Sequence, residues 1–563
     1  MELTPRLRKK SLGRILGFGL CLIASPVTKQ LPASAGTPAA IADADDLIDS
    51  EAEALADGLE HEKANHWAEA VRHYSDAARE YPSNRTLYQR LLISRLHLDV
   101  NRRYQDTSFL QSVNTLTTRQ ALDLYAEVLA NLQTHYVEQV DWNRVQTHGT
   151  AALEVALTQG SFINRVNPTA TPEQIESFRQ SVHREFVNRN SATRYDLRAN
   201  VAHVASLAHA KLGISGTATV LEYVGGAIST LDTYTRLLSG NQLDEMFSNI
   251  EGNFVGLGIE LKPETDSLKI LSVIPGGPAA DAGITAGDHI IGVAGQMTNV
   301  VAPDLAADML RGPEKSSVSL TLRDVAGNER ILRVERRRVD VPCVEDVRLV
   351  DPDAKTGYLR LSAFQKTTTR DVERALWDLH RQGMRSLIID VRGNPGGLLS
   401  AAVEVADRFL SDGRIVTTRG RNVRENFEYT AKTQNTWNVP LVVLIDHDSA
   451  SASEIFAGAI GDSHRGVVIG ETSYGKGSVQ GIFRMQSAKF GLCLTTAKFY
   501  SPSGRAISDN GVQPDVFVEP KYAVGRPDGE GNFPTTGGTA GSDPVLKRAI
   551  LQLTEPELIS QRR

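Results

Sequence analysis

Residues 441–460 read LVVLIDHDSASASEIFAGAI, and this stretch decides the fold of the region around it. Its first five residues are apolar and rich in branched side chains, which predicts a buried β-strand, and residues 455–460 predict the start of an apolar helix. A buried strand that enters an apolar helix through a short polar turn is typical of α/β folds. The turn places Ser451 beside the positive end of a helix dipole, where negative charge is stabilised.

A second apolar strand is predicted at residues 467–470, and the polar segment after it contains Lys476. A serine hydroxyl is a poor nucleophile until a base removes its proton. A lysine amine can be that base if burial lowers its pKa from about 10.4 toward neutrality. Because Ser451 and Lys476 each follow a buried strand, the sequence indicates a Ser-Lys hydrolase.

Two short motifs in this region match those of a known family. They are Ser-Ala-Ser-Ala-Ser-Glu at residues 449–454 and Gly-Lys-Gly-Ser-Val-Gln at residues 475–480. Together they resemble the carboxyl-terminal processing proteases, also called tail-specific proteases, and the similarity extends from about residue 231 through the C-terminal region. One residue departs from the family pattern, since Asp446 stands where the family usually has Asn.

The resemblance implies a role for each polar residue of the two motifs. Ser451 corresponds to the nucleophile, Lys476 to the general base and Gln480 to the residue that orients the lysine amine. A serine protease of this kind works through an acyl-enzyme, so no metal or organic cofactor is expected.

A glycine-rich turn supplies candidates for the oxyanion hole. Residues 387–397, LIIDVRGNPGG, predict a buried strand that ends in this turn, and a helix is expected at residues 398–410. Acyl transfer needs backbone N–H donors aimed at the developing oxyanion, and glycines let a backbone approach a substrate closely. The resemblance implies that Gly397, or alternatively Gly396, supplies one donor and Ala452 the other. Taken alone, the turn would be interpreted as an ordinary loop.

Two other interpretations of these residues compete with the Ser-Lys hydrolase. Residues 470–476 match the front of a phosphate-binding P-loop, but Gly477 stands where that motif has the Ser or Thr that holds magnesium. His447 and Asp448 lie close to Ser451 in the sequence and suggest a Ser-His-Asp triad. Neighbours on one tight turn rarely converge on one oxygen, so a solvated loop histidine is the competing prediction.

Composition limits the remaining function classes. The chain has 563 residues, for which roughly three or four domains are expected. Its formal net charge of −6 is mixed in sign and argues against nucleic acid as the main partner. Cys21, Cys343 and Cys493 give no disulfide framework, and Cys493 is expected to be a buried free thiol.

The N-terminus predicts export. A basic segment at residues 6–14 precedes an apolar segment at residues 15–24 that is far too short to span a membrane, and Ala-Ser-Ala at residues 33–35 is a small-residue cleavage site. Residues 1–35 are therefore predicted to be a signal peptide, with a periplasmic location as the first expectation. An uncleaved signal that anchors the protein in the membrane is the alternative.

Two helical regions are predicted before the protease part. Residues 45–110 resemble one tetratricopeptide repeat, with small and aromatic residues at the expected spacings: Gly58, Ala70, Tyr74, Ala77 and Pro82. This region is either a docking surface for an adaptor protein or a helical brace. Residues 116–250 are predicted to be mostly helical, with residues 162–198 as an insertion of no assigned function.

Residues 251–340 predict a small β-rich domain that resembles the PDZ domain of the same family. In such a domain a free carboxylate binds to backbone amides of a glycine-rich turn while the peptide adds as a strand to the sheet. Here that turn consists of Gly256, Leu257, Gly258 and Ile259. The resemblance implies that C-terminal tails of protein substrates are the partners, and a β-domain that only packs on the core is the alternative.

The remaining sequence completes an α/β enzyme. Residues 341–524 alternate strands and helices, which favours parallel strands with right-handed crossovers and a site at their carboxyl ends. The resemblance refines this fold to a crotonase-like ββα spiral core. Residues 525–563 are predicted to be a C-terminal tail and helix, with a flexible linker at residues 525–541.

The sequence thus predicts an exported serine endopeptidase that recognises protein C-terminal tails through its PDZ domain. A non-catalytic tail-binding scaffold and a crotonase-like acyl transferase are the alternatives. A homo-oligomer is a further expectation that the sequence leaves open.

Overall fold

The computed structural model describes residues 44–187, 189–264, 266–298, 309–432, 436–519 and 543–555. The predicted signal peptide at residues 1–35 and the predicted linker at residues 525–541 lie outside these ranges. Within them, no helix is both long enough and apolar enough to cross a bilayer. The chain divides into two compact units, Met1–Tyr125 with Asp141–Thr230, and Ala126–Val140 with Leu231–Arg563.

The first unit consists of helices, as predicted for residues 45–110 and for most of 116–250. They are α1 (Ala44–Lys63), α2 (Trp67–Glu80), α3 (Arg85–Arg103), α4 (Thr107–Thr115), α5 (Thr118–His135, whose last turns belong to the second unit), α6 (Trp142–Ala156), α7 (Gly160–Val166), α8 (Pro172–Phe186), α9 (Arg194–Leu212) and α10 (Gly216–Ile228). Side chains cap several helix starts, because the first backbone N–H groups of a helix have no partner within it. Asn84, Asp106 and Asp141 each accept two of these N–H groups.

Glycines allow two close helix contacts in this unit. A Cβ atom on Gly58 of α1 would lie 2.2 Å from the ring of Tyr74 in α2, so only glycine fits beside this buried tyrosine. A Cβ atom on Gly226 of α10 would lie 2.5 Å from the Cα atom of Gly149 in α6. Helices α6 and α10 therefore pack backbone against backbone at this pair.

The second unit contains nineteen named strands within the described ranges. They are β1 (Arg236–Leu238), β2 (Asn253–Gly256), β3 (Ile259–Pro263), β4 (Leu268–Val273), β5 (His289–Val293), β6 (Gln296–Met297), β7 (Ser317–Arg323), β8 (Glu329–Glu335), β9 (Arg337–Asp340), β10 (Val344–Asp351), β11 (Thr356–Leu361), β12 (Ser386–Asp390), β13 (Arg414–Arg419), β14 (Phe427–Thr430), β15 (Leu441–Ile445), β16 (Val467–Gly470), β17 (Ser478–Arg484), β18 (Gly491–Tyr500) and β19 (Val516–Phe517). Within the same ranges its named α-helices are α11 (Gly240–Glu251), α12 (Pro278–Asp281), α13 (Thr368–Arg381), α14 (Leu399–Asp407), α15 (Ala452–Asp462) and α16 (Pro544–Thr554).

A six-stranded sheet forms the centre of this unit, in the order β10-β11-β12-β15-β16-β19. Strands β11, β12, β15, β16 and β19 are parallel, as the alternation of strands and helices predicted, whereas the edge strand β10 is antiparallel to β11. Both faces are covered. Leu387 and Val443 belong to the core that includes α13, α14 and α15, while Ile388 and Val442 pack with the apolar face of α16. This double burial explains the continuous apolar runs of these strands.

A second, antiparallel sheet follows the order β1-β18-β13-β14, with β17 also paired to β18. The alternation of elements did not predict this sheet, because its strands come from distant parts of the chain. Strand β1 lies inside residues 116–250, which were expected to be mostly helical. It pairs with β18, and Arg236 of β1 stands opposite Cys493. Cys493 is buried and free, as predicted.

The domain predicted at residues 251–340 has its own sheet, in the order β3-β4-β5-β7-β8 with β6 paired to β5. Its core includes Leu257, Ile270, Ile290 and Leu320. A ribbon of β2 and β9, with Asn253 opposite Asp340, connects this domain to the rest of the second unit. The overall class is therefore mixed α/β with a separate β-rich domain.

Candidate active site

The three segments that the sequence selected lie at one edge of the central sheet. Strand β12 leads into the glycine-rich turn, β15 into the turn of Ser451, and β16 into the segment of Lys476. These strands are adjacent and parallel, so their carboxyl ends meet at the same edge. The predicted helix at residues 398–410 is shorter in the structure, where α14 ends at Asp407.

Ser451 occupies a strained backbone conformation at the start of α15. Its φ of 56° and ψ of −112° lie outside the regions that side chains usually allow. Such conformations persist only where surrounding contacts hold them, and they concentrate at functional sites. The contact here is a hydrogen bond of 2.7 Å from the Ser451 backbone N–H to the Glu454 Oε2 atom.

Glu454 joins the serine turn to the lysine segment. Its carboxylate is fully buried, and Oε2 accepts the backbone N–H of both Ser451 and Lys476, the latter at 3.0 Å. Its Oε1 atom accepts the Ser473 hydroxyl at 2.7 Å and the Gly475 N–H at 2.6 Å. Burial raises the pKa of this carboxyl group, and the four hydrogen bonds oppose the shift.

Sequence reasoning missed this role of Glu454, although a signal was present. A glutamate three residues after a serine at a helix start is the capping-box pattern, in which the glutamate reaches back to the serine N–H. That pattern predicts one of the four hydrogen bonds. The three contacts with Ser473, Gly475 and Lys476 join separate segments, so only the tertiary structure reveals them.

Lys476 lies in surroundings that favour its neutral form. Burial lowers the pKa of its amine, and the positive charge of Arg236 acts in the same direction, while Cys493, Glu454 and Asp232 oppose them. The Nζ atom lies 5.1 Å from the centre of the Tyr234 ring. The side chain is therefore enclosed by an aromatic face and partly removed from water.

Gln480 lies in β17 and is held by two hydroxyl groups. Its side-chain Nε2 atom donates to Ser478 Oγ at 2.9 Å and to Thr495 Oγ1 at 3.3 Å. In the described part of the chain, no hydrogen bond joins the Lys476 amine to Ser451 or to Gln480. The structure thus brings the three predicted residues to one region of the second unit, where no hydrogen bond among the described residues joins their reactive atoms.

The glycine-rich turn packs directly against the serine turn. A Cβ atom on Gly396 would lie 2.6 Å from the Ala450 carbonyl oxygen and 2.8 Å from the Ser451 Cβ atom, so this position requires glycine. The buried Asn394 connects the two turns, because its carbonyl oxygen accepts the Ala450 N–H at 3.0 Å and the Ser453 hydroxyl at 2.9 Å.

Among the N–H groups predicted for the oxyanion hole, those of Gly397 and Ala452 have no hydrogen-bond partner among the described residues. The N–H of Gly396, the alternative donor, instead donates to the Asn394 Oδ1 atom at 2.8 Å. Gly397 forms a parallel bridge with Phe364. In this bridge the N–H of Phe364 donates to the carbonyl oxygen of Gly396, and the N–H of Leu398 donates to the carbonyl oxygen of Phe364. That arrangement directs the N–H of Gly397 itself away from Phe364. Ala452 is the first residue of α15, so its N–H has no acceptor within the helix. Both donors border the turn of Ser451.

Asp446, the departure from the family pattern, also supports the turn geometry. Its Oδ1 atom accepts the N–H of Gly393 at 2.9 Å, that of Asp448 at 3.1 Å and that of Ser449 at 3.0 Å. One carboxylate oxygen thereby fastens the glycine-rich segment to the end of β15. The replacement of an amide by a carboxylate keeps the acceptor that these N–H groups need.

The competing interpretations find little support in the geometry. His447 is 60% exposed in its side chain and lies 3.4 Å from Asp448 and 3.5 Å from Glu471, in a position that faces solvent. Residues 470–476 lead into strand β17, whereas a P-loop leads into a helix. Neither a Ser-His-Asp triad nor a nucleotide site is therefore favoured.

The glycine turn of the β-rich domain lies at the start of an edge strand. Leu257 is buried and its carbonyl oxygen accepts the Ala279 N–H at 2.9 Å, while Gly258 has a φ of 77°. Because Ile274 donates to the carbonyl oxygen of Gly258, the N–H of Ile259 points away from β4. Among the described strands β3 pairs with β4 alone, so this N–H faces an open sheet edge.

Comparisons with known proteins identify both parts. The sequence model of peptidase family S41 matches residues 355–518, and the PDZ domain model matches residues 249–323. A carboxy-terminal-processing protease of Bartonella bacilliformis is 36% identical over 302 residues, which cover 53% of this chain and 68% of the relative. A carboxyl-terminal-processing protease of Synechocystis sp. is 36% identical over 298 residues, 52% of this chain and 69% of the relative.

A solved structure titled photosystem II D1 C-terminal processing protease aligns with 73% of this chain and 96% of its own, at 26% identity and a TM-score of 0.36. The family matches define a class, that of serine-type peptidases with an S41 core and a PDZ domain. The chain belongs to the carboxyl-terminal processing protease family, which confirms the resemblance of its motifs.

Proposed function

We propose that Ser451, Lys476 and Gln480 form the catalytic group of this peptidase. The neutral amine of Lys476 takes the hydroxyl proton of Ser451 as its oxygen attacks the scissile carbonyl carbon. The tetrahedral oxyanion accepts hydrogen bonds from the N–H groups of Gly397 and Ala452. The lysine ammonium then gives its proton to the leaving amine, and an acyl-enzyme remains.

A water molecule completes the cycle by the same route. Lys476 accepts a proton from the water that attacks the acyl-enzyme, a second oxyanion forms in the same hole, and its collapse releases the new carboxyl group. The proton returns to Ser451, so the protein ends the cycle unchanged. Every step uses side-chain and backbone groups of the chain.

One observation supports this assignment above the others. The buried carboxylate of Glu454 accepts hydrogen bonds from the backbone N–H of both Ser451 and Lys476. The two turns that carry the proposed nucleophile and base are therefore held at fixed positions by one side chain. A scaffold that only binds tails would have no need to join a strained serine turn to the segment of a lysine whose pKa burial lowers.

We further propose that the PDZ domain binds substrate tails at residues 256–259. A terminal carboxylate would lie against the N–H groups of Leu257, Gly258 and Ile259, while the preceding residues add as a strand to β3. The open edge of β3 and the outward N–H of Ile259 support this proposal. Gly256 ends β2 and so fixes where the turn begins.

Four broader assignments remain proposals. Export to the periplasm rests on the sequence of residues 1–35, and docking of an adaptor rests on the repeat-like spacing in residues 45–110. The parallel sheet with helices on both faces is compatible with a crotonase-like core. A homo-oligomer is also proposed, and the molecular mass in solution would test it.

The catalytic assignment is tested by two substitutions. Ser451→Ala and Lys476→Ala should each lower kcat/KM for a peptide with a free C-terminus by at least about a thousandfold. Circular dichroism and thermal unfolding would check that both variants fold. His447→Ala and His464→Ala are the matched controls and should keep most of the activity. A loss in either histidine variant as large as that in Lys476→Ala would contradict the assignment.

A further inference from the structure

A directed chain of hydrogen bonds lies behind Gln480. We infer that Asp232 and Thr495 are positioning residues that fix the orientation of the Gln480 amide, so that its oxygen serves the Lys476 amine. This inference rests on the proposed function, since it assigns a purpose to Gln480. Neither Asp232 nor Thr495 belongs to the motifs that select the site from the sequence.

The contacts form a continuous path between two elements of the second unit. Thr495 of β18 stands directly opposite Gln480 of β17 and is 3% exposed. Gln480 Nε2 lies 3.3 Å from Thr495 Oγ1, and Thr495 Oγ1 lies 2.8 Å from Asp232 Oδ1. The hydroxyl oxygen of Ser478 accepts a second hydrogen bond from the same Nε2 atom, at 2.9 Å.

The chemistry of the groups gives this path a direction. A carboxylate can only accept hydrogen bonds, so the single hydroxyl proton of Thr495 must point to Asp232. The Thr495 oxygen can then only accept from Gln480, which therefore presents its NH₂ group to Thr495 rather than its carbonyl oxygen. The oxygen of the Gln480 amide is left to accept a hydrogen bond from the side-chain amine of Lys476. The carboxylate thus decides, across one hydroxyl, which end of the glutamine faces the lysine.

Asp232 is itself fixed before any substrate binds. Its Oδ1 atom accepts the N–H of Tyr234 at 2.9 Å and that of Thr235 at 3.2 Å, and its Oδ2 atom accepts the Thr235 hydroxyl at 2.8 Å. The same short turn supplies the ring of Tyr234 that faces the Lys476 amine at 5.1 Å. One turn therefore provides both the end of the hydrogen-bond path and a wall of the lysine site.

The inference has a signature in the pH profile. An acceptor on the amine stabilises the protonated form of Lys476 more than the neutral form, so its loss should lower the pKa of the lysine. The charged or titratable groups that also face Lys476 are Arg236, Glu454, Cys493 and Asp232, with the phenol of Tyr234 beside them. A change at Thr495 leaves all of these side chains in place.

The experiment compares three single variants of the full chain. Thr495→Val removes the hydroxyl at nearly constant volume and should lower kcat/KM for a free-acid peptide about tenfold, the size expected for one orienting hydrogen bond. The acidic limb of its pH profile should also move to lower pH. Thr495→Ser keeps a hydroxyl and should recover most of the loss. Thr496→Val is the matched control, because Thr496 is an equally buried threonine of the same strand, and it should leave both rate and profile unchanged.

A double variant separates this inference from the proposed function. If Thr495 acts through Gln480, then Thr495→Val should cost little further activity in a Gln480→Ala background. Equal losses with and without Gln480, or a lower rate in Thr495→Val with an unmoved acidic limb, would overturn the inference while the Ser-Lys assignment stands. Full activity in Lys476→Ala would instead overturn the proposed function. Thermal unfolding of every variant would reveal a loss that comes from instability alone.

Discussion

Among single residues, Lys476 must meet the most demanding condition of the proposed mechanism, since a lysine acts as a base only without its proton. An exposed lysine is protonated at neutral pH, with a pKa of about 10.4. Burial lowers the pKa of Lys476, and the nearby positive charge of Arg236 adds to this effect. The negative charges of Glu454 and Asp232 oppose it, so the balance of these groups sets the pKa of Lys476.

The lowered pKa predicts the direction of the pH dependence. Below this pKa the amine of Lys476 is protonated and cannot accept the serine proton, so kcat/KM should rise with pH through it. An arginine keeps its proton at any pH at which proteins are studied, so Lys476→Arg should be inactive although it keeps the charge. Peptide hydrolysis measured across pH for both proteins checks the two expectations. Activity near the wild-type level in Lys476→Arg would remove the lysine from the mechanism.

Glu454 predicts a coupled loss of activity and stability. In Glu454→Gln an NH₂ group replaces one of two oxygens that together accept four hydrogen bonds, so donors would face donors. We expect a free energy of unfolding lower by about 1–3 kcal/mol, the cost of buried donors left unpaired, together with a large fall in kcat. Urea unfolding and steady-state kinetics measure the two effects.

Glu471→Gln is the control for this prediction, because Glu471 is a nearby carboxylate that pairs with His447 instead of the two turns. It should change stability and kcat only slightly. Equal effects of the two substitutions would show that Glu454 has no special part in holding the site.

At the scale of elements, the proposed recognition of substrate tails depends on strand β3. Its inner edge pairs with β4, and its outer edge carries the N–H of Ile259 just after the glycine turn. A peptide that adds to this edge ends its own strand at the turn, where a free carboxylate meets backbone N–H groups. Recognition then depends on the terminal charge and on one outward donor.

The edge geometry predicts a preference for free C-termini. A peptide that ends in an amide should be cut much more slowly than the same peptide with a free acid, because it lacks the charge that the turn binds. In Ile259→Pro the outward N–H is absent while the ladder to β4 is kept, since proline is tolerated at such edge positions. This variant should bind the free acid more weakly and lose the preference. Equal rates for the two peptides would contradict tail recognition without touching the Ser-Lys assignment.

At the scale of the whole second unit, the PDZ domain is attached at two adjacent points of the chain. The N–H of Val341 donates to the carbonyl oxygen of Gly252 at 2.8 Å, so the two ends of the domain lie side by side. On the protease side, the backbone N–H of Lys366 donates to the carbonyl oxygen of Ile250, and its side-chain amine donates to the carboxylate of Glu251. Two roles fit this attachment, a tether that raises the local substrate concentration and a gate that controls the site.

Removal of residues 253–340 separates the two roles. Because Gly252 and Val341 are hydrogen-bonded neighbours, a short linker can join them without strain in the core. A tether predicts slower cleavage that persists with a higher KM, whereas an inhibitory gate predicts cleavage that no longer depends on a free C-terminus and is faster. Kinetics with the free-acid and amidated peptides distinguish them. A deletion variant with the kinetics of the full chain would exclude both roles.

The local sequence pattern was enough to predict the strands and helices that carry the site. Strand β15 lies where the apolar run of residues 441–445 predicts a strand, and α15 begins directly after Ser451. Apolar runs, glycine turns and small-residue helix starts are properties of neighbouring residues, so the sequence alone specifies them. For the same reason the amino-acid sequence is sufficient to predict the family, the PDZ domain and the position of Lys476 after β16.

Contacts between distant segments could not be predicted in this way. Asp232 and Thr495 are separated by 263 positions, and nothing in either segment indicates that a hydroxyl of one binds a carboxylate of the other. The antiparallel sheet that brings β1 beside β18 is likewise assembled from remote strands. The sequence by itself determined the peptidase family and which residues are proposed as the Ser-Lys pair. Only the tertiary structure decided which buried groups hold them, because burial and hydrogen-bond direction depend on partners that the chain supplies from elsewhere.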